Sequence, residues 1–124
     1  MQIIEPINLM EKFAMFGQLW TPHIVGELNG HYLKICKIKG DFVWHSHDNE
    51  DELFMVLKGT LLMDFRDGRT VAVREGEILI VPKGTEHRPR TNGELVYHLL
   101  FEPASTRHTG KVNSEMTVQK QQWI

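Results

Sequence analysis

Apolar residues in this chain fall in short runs rich in β-branched and aromatic side chains, broken at close intervals by turn formers. Asn29-Gly30 separates Pro22–Leu28 from His31–Ile38, and Asp67-Gly68 separates Thr60–Phe65 from Thr70–Val73. Both dipeptides favour the positive φ angles of tight turns, so each predicts an antiparallel hairpin. Gly40-Asp41, Lys58-Gly59, Glu75-Gly76, Pro82-Lys83-Gly84 and Asn92-Gly93 mark further breaks. Between them Phe42–Ser46, Leu53–Leu57, Glu77–Val81 and Glu94–Phe101 read as strands. Helical spacing occurs only in Ile7 to Phe16, where Leu9, Phe13 and Phe16 follow Asn8 as a candidate N-cap. The pattern predicts an all-β antiparallel barrel or sandwich with a short N-terminal helical segment. It does not give the strand order. The tail, 105–124, is polar apart from Met116, Val118 and Trp123-Ile124, and is expected as an edge strand lying over the body or touching a partner.

A length of 124 residues predicts one domain over 1–124 with a single core. The net charge of −2 lacks the basic excess of a chain whose main task is holding nucleic acid or an anionic membrane. No apolar run approaches the roughly 18 residues needed to span a bilayer. Cys36 is the single cysteine, which excludes an intramolecular disulfide, and Met1 to Met10 lacks a signal-peptide pattern. A soluble cytoplasmic protein with a small-molecule ligand, and neither nucleic acid nor membrane as partner, is the expectation.

The residues that carry chemistry begin with His45 and His47. Side chains alternate along a strand, so both imidazoles leave one face with Cα atoms about 6.6–6.8 Å apart. Two such rings can converge on one ion at about 2.0–2.1 Å. Asp48, Glu50, Asp51 and Glu52 follow at once, and His87 comes directly after the turn Pro82–Glu86. Three neutral imidazoles with a carboxylate would suit Fe(II), Mn(II), Ni(II), Zn(II) or Cu(II) better than Ca(II) or Mg(II). Taken singly, the same residues are as compatible with a solvated histidine pair, an acidic loop and a loop histidine.

Their spacing among the glycines and proline resembles a known family. Gly40, His45, His47, Glu52 and Gly59 resemble the first cupin motif, with four residues rather than the usual five between Gly40 and His45. Gly76, Pro82, Gly84 and His87 match the second motif without a gap, although Asn92 lies five residues after His87 where four is usual. The matched stretch is 40–92, and its short inter-motif connection is that of small single-domain cupins. The resemblance implies a jelly-roll or double-stranded β-helix barrel that holds one divalent transition metal ion. His45, His47, Glu52 and His87 would be the ligands.

Parity offers a test of the carboxylate. An unbroken strand would send Glu52 to the face opposite His45 and His47. Asp48-Asn49 is therefore expected to turn the chain and reset the register, leaving Glu52 inward and Asp48, Asn49 and Glu50 toward water. Phe54 and Val56 would then point inward with Glu52, and Pro82 is expected at the second position of its turn. His98 reads first as a satisfied core histidine, with a cavity-lining role as the alternative, and Tyr97 must face the other way. His23, His31 and His108 are expected in solvent. Cys36 reads as a small buried hydrophobe, and Trp20, Trp44 and Trp123 as core or contact residues, with stacking on a ligand as the alternative.

The functional expectation is a small metalloenzyme, an oxidoreductase of dioxygenase type, acting on an oxygen-rich small molecule, with no general base named. Alternatives are a metal-dependent binding or sensing module without turnover, and a sugar or sugar-phosphate isomerase. The sheet edge and the apolar tail end suggest a homodimer.

Overall fold

The structure, a computed structural model, describes residues 4–124. A short helix, α1 (Leu9–Phe13), is capped by Asn8, whose side chain accepts the Glu11 amide at 3.0 Å. Nine strands follow: β1 (His23–Leu28), β2 (His31–Ile38), β3 (Glu52–Lys58), β4 (Leu61–Phe65), β5 (Thr70–Val73), β6 (Ile78–Val81), β7 (His87–Arg90), β8 (Val96–Pro103) and β9 (Gln122–Trp123). They form a six-stranded sheet ordered β6-β3-β8-β2-β1-β9 and a three-stranded sheet ordered β5-β4-β7. The two predicted hairpins are present. Asn29 and Gly30 take φ of 51° and 77°, so a tight turn joins β1 to β2, and Phe65 to Arg69 closes the β4–β5 loop.

Alternation decides which side chains reach the interior. Glu52, Phe54 and Val56 of β3 are buried while the residues between them are half-exposed. Inward residues of β2, β3 and β8 (among them Cys36, Phe54, Val56 and Leu100) pack against Leu61, Met63, Val73 and Val81. That cluster is the barrel core, and each such side chain contributes about 1.5–3 kcal/mol relative to exposure. A second cluster lies on the other face of the large sheet, where Phe13 and Phe16 cover Val25, Ile35 and Leu99. Tyr97 stacks on Phe13 at 4.5 Å, on the face opposite His98. The helix therefore shields the outside of the sheet and leaves the interior to the site.

Three expectations need correction. Phe42–Ser46 is not a regular strand. It is held against β7 by bridges from Asp41 to Arg90 and from His45 to His87. Four steps on one side oppose three on the other, which is a bulge, and it brings Phe42 and His45 to the same buried side. β7 was not expected as a strand, because His87-Arg88-Pro89-Arg90 has no apolar run. It forms because His87 and Pro89 face inward, while Arg88 and Arg90 reach Asp64 of β4 at 2.9 and 2.7 Å. Pro82 occupies the first position of its turn, not the second, since its carbonyl accepts the Thr85 amide.

The tail does supply an edge strand: β9 pairs parallel with β1, and Trp123 meets Tyr32 edge-on at 5.5 Å. Among the described residues no helix is long and apolar enough to cross a membrane.

Candidate metal centre

His45, His47, Glu52 and His87 are all buried, and each offers a donor atom within 4.8 Å of the others. Three separate backbone devices bring them there. The bridge between His45 and His87 is closed by two hydrogen bonds, His45 N–H to His87 O at 3.0 Å and His87 N–H to His45 O at 2.9 Å, which puts their rings 4.4 Å apart. His47 follows two residues on and its ring lies 5.1 Å from that of His45. Between His47 and Glu52 the chain bends at Asp48-Asn49, both exposed, and the register resets as expected so that Glu52 enters β3 pointing inward. Glu50 departs slightly from expectation: it is half-buried, where it accepts the Ser105 hydroxyl at 3.2 Å. Asp51 stays outside and accepts the Lys83 amide at 2.8 Å.

Two of the imidazoles are oriented by backbone carbonyls. His45 Nδ1 lies 2.9 Å from Val43 O, and His87 Nδ1 lies 2.9 Å from Thr85 O. A proton held at Nδ1 leaves Nε2 with its lone pair free, the arrangement a metal-binding histidine requires. His47 Nε2, Glu52 Oε1 and His87 Nε2 are buried without a hydrogen-bond partner among the described residues. Yet His47 Nε2 and His87 Nε2 stand 3.0 and 3.1 Å from Glu52 Oε1. Leaving such atoms unsatisfied costs about 1–3 kcal/mol each. A single cation among them would satisfy all three, so the donor set fits a transition metal ion.

The electrostatics agree with that use. Burial, and then the nearby His87, push the His45 pKa down to about 4, so the ring is neutral near pH 7. Burial alone would raise the Glu52 pKa, but its contacts to His47 and His87 outweigh burial and hold it well below the usual carboxylate range. Burial drives the Cys36 thiol up to about 12, which keeps it protonated and unsuited as a thiolate ligand.

Beside this cluster lies a cavity of about 30 Å³, lined by His45 and Glu52 at one end and by Trp20, Phe42, Phe54, Cys36, His98 and His108 around it. Its walls are mostly aromatic. Trp20 stacks on Phe42 at 4.8 Å, and Phe54 lies parallel to His98 at 5.9 Å. His98 is buried but not satisfied, since Nδ1 has no partner among the described residues. The cavity-lining alternative therefore holds for it.

His108 overturns its expectation. It is half-buried, and the chain after β8 carries it back over the barrel interior. His23 is also buried, stacked on Phe16 at 3.9 Å, and His31 is half-buried against Phe101 at 5.2 Å. Trp44 carries the Arg66 guanidinium 3.9 Å above its ring, away from the cavity.

Two polar features escaped the sequence reading. Lys34 Nζ donates to Glu102 Oε1 at 2.8 Å, with both side chains buried. The β3–β8 register, Leu53 opposite Phe101 and Phe54 opposite Leu100, brings Glu102 beside Glu52. Burial, then the charge of Glu52, raises the Glu102 pKa well above the usual range. The alternation Val96, His98, Leu100, Glu102 was the available signal, since it continues inward past His98. The other feature joins the two motif regions. Thr91, four residues after His87, is buried and accepts the Gly40 amide at 2.9 Å, whereas Asn92 is exposed.

With this geometry in place, the comparison with known proteins is unambiguous as to class: the cupin domain family matches residues 35–101, and the chain belongs to that family. The protein YdbB of Bacillus subtilis (strain 168) is 42% identical over 84 residues, covering 68% of each chain. A cupin-2 domain protein from Shewanella frigidimarina NCIMB 400 superposes with a TM-score of 0.76 at 40% identity, covering 78% of this chain and 93% of that one. Hydroquinone 1,2-dioxygenase from Sphingomonas sp. TTNP3 shares the fold, with a TM-score of 0.71 at 18% identity, over 82% of this chain and 33% of that enzyme.

Proposed function

We propose that this cupin is a small metalloenzyme of dioxygenase type that acts on a small, oxygen-rich organic molecule. His45, His47, Glu52 and His87 hold one divalent transition metal ion, and the chain works as a single domain. The observation that carries this reading is that three buried donor atoms without hydrogen-bond partners among the described residues, His47 Nε2, Glu52 Oε1 and His87 Nε2, lie within 4.8 Å of one another. An ion with four protein donors keeps about two further positions, at which it supplies Lewis-acid activation or, if it is iron, one-electron chemistry.

The rest belongs to the chain itself. Val43 O and Thr85 O hold the ring protons of His45 and His87 away from the ion. The aromatic wall of Trp20, Phe42 and Phe54 limits bulk water and favours a partly apolar ligand. No side chain in the cavity is assigned as general base.

A second reading, a metal-dependent binding or sensing module without turnover, is favoured by the small cavity, which is far below the roughly 300 Å³ of an ordinary ligand pocket. Isomerase chemistry on a sugar phosphate is disfavoured, because the described residues that line the cavity include no lysine or arginine to hold a phosphate. Metal analysis of the purified protein, with oxygen uptake measured over a panel of small phenols and carbonyl compounds, decides between the first two. Iron with substrate-dependent uptake supports the enzyme, and tight binding with no product supports the module.

The chain is also read as a cytoplasmic homodimer. β6 is the open edge of the large sheet, and it exposes Ile78 and Ile80, as an edge that meets another copy would. Its mass in solution tests that.

A further inference from the structure

The stretch between β8 and β9 contains no strand, yet it carries His108 into the cavity wall. It is latched to the loop that carries the histidines. Ser105 donates to Glu50 at 3.2 Å, Lys111 pairs with Asp48 at 2.9 Å, and Gly110 sits directly on the Ser46 backbone. A Cβ at Gly110 would stand 2.0 Å from Ser46 O, so only glycine allows this approach.

His108 lies in the middle of that stretch. Its Nδ1 accepts the Val118 amide at 2.9 Å, which places the ring proton on Nε2. Its ring rests 5.0 Å from Phe42 and lines the cavity. A hydrogen-bond donor is thus presented to an aromatic cavity beside His45 and Glu52. The buried Nδ1 of His98, without a partner among the described residues, lines the same space. A cavity of about 30 Å³ admits one water-sized molecule. Any organic ligand must therefore displace part of the wall, and His108 sits on a stretch without strand pairing.

We propose that residues 105–118 form a lid over the metal cavity, and that His108 on this lid donates its Nε2–H to an oxygen of the ligand chelated at the ion. The ligand class is a small chelator with two metal-binding oxygens and an acceptor lone pair facing the lid. This inference rests on the metal reading given above, and it adds a residue outside the matched family region of 35–101. His108 acts on the ligand and not on the ion, so its removal leaves metal affinity intact.

The test uses full-length protein, Co(II) as the metal probe followed by its visible absorption, and acetohydroxamate as the two-oxygen probe. Wild type and His108→Ala are expected to take up Co(II) alike. His108→Ala is expected to bind acetohydroxamate about tenfold more weakly, the loss of roughly one hydrogen bond, and His108→Gln, which retains an N–H donor, restores binding to within threefold. Gly110→Ala, which cannot seat on Ser46, is expected to speed both hydrogen exchange over 105–118 and acetohydroxamate association. Failure of wild type to take up Co(II), or equal uptake by His47→Ala, overturns the metal reading and this proposal together. Normal Co(II) uptake with undiminished acetohydroxamate affinity in His108→Ala overturns the His108 assignment alone. Failure of His108→Gln to rescue overturns its role as donor, and unchanged exchange in Gly110→Ala overturns the lid.

Discussion

The two sides of the cavity are built on opposite principles. The ligand side is made of β3, paired to β6 and β8, and of β7, bonded to the bulged segment 41–45 through links such as the pair between His45 and His87. The opposite side, 105–118, is closed mainly by its own turns and by a few side-chain latches, among them the exposed Lys111–Asp48 pair. Donors that must meet at one ion need sub-ångström placement, which paired strands supply. A wall that admits a ligand needs to open at low cost, and an irregular segment with few backbone bonds to the barrel does so. Under the proposed function, one fold would separate holding an ion from admitting a molecule.

The sharpest way to break the comparison is on the ligand side. His47→Ala and His87→Ala are each expected to cost more metal affinity than the about 10–100-fold typical of an outer-shell change. Circular dichroism is expected to show the β content kept. Metal titration reads this directly, and metal retained by both variants would remove the distinction between the two walls.

A core substitution comes next. Phe54 is buried beneath the site, and Phe54→Ala is expected to lower stability by about 3–5 kcal/mol in urea unfolding. A loss below about 1 kcal/mol would mean that the strand side is as loosely packed as the cover.

Acid provides a subtler probe. Burial would raise the Asp64 pKa, but Arg90, Thr70 and Arg88 outweigh it and bring it down to about 2. A carboxyl whose folded pKa lies below its unfolded value stabilises the fold above the unfolded pKa. That contribution is present above about pH 4 and is lost as pH falls toward the folded value of about 2. Unfolding measured at pH 5 and 2.5 is expected to show a smaller acid loss in Asp64→Asn than in wild type. Equal losses would detach Asp64 from the anchoring of β7 to β4.

The smallest effect belongs to the cover. Lys111→Ala removes an exposed pair, so global stability is expected to change by less than about 1 kcal/mol. Hydrogen exchange over 105–118 is expected to quicken while that of β3 and β7 stays fixed. Acceleration in β3 as well would show that the two walls open as one.

Much of this was legible before any coordinates. The hairpin at Asn29-Gly30, the Asn8 cap and the inward set Glu52, Phe54 and Val56 follow from local turn chemistry and period-two alternation. The four candidate donors were readable from the resemblance to the cupin motifs, and the reset at Asp48-Asn49 followed from parity once that resemblance had selected Glu52. β7 was not readable, because His87-Arg88-Pro89-Arg90 becomes a strand only when Asp64 stands opposite to take its arginines. Solvent was the wrong expectation for His23 and His108, because burial of a tail or turn residue depends on where distant chain returns.

The amino-acid sequence alone determined the strand and turn alphabet, the side each strand presents to the core and the chemistry of the donor set. These depend on φ/ψ preferences and alternation among neighbours a few residues apart. Tertiary structure alone decided that β3 lies between β6 and β8, that Lys34 meets Glu102 across 68 positions, and that His108 lines the cavity. Those outcomes are pairings between remote segments, selected by the total burial and hydrogen bonding of the folded barrel, and no local stretch of chain encodes them.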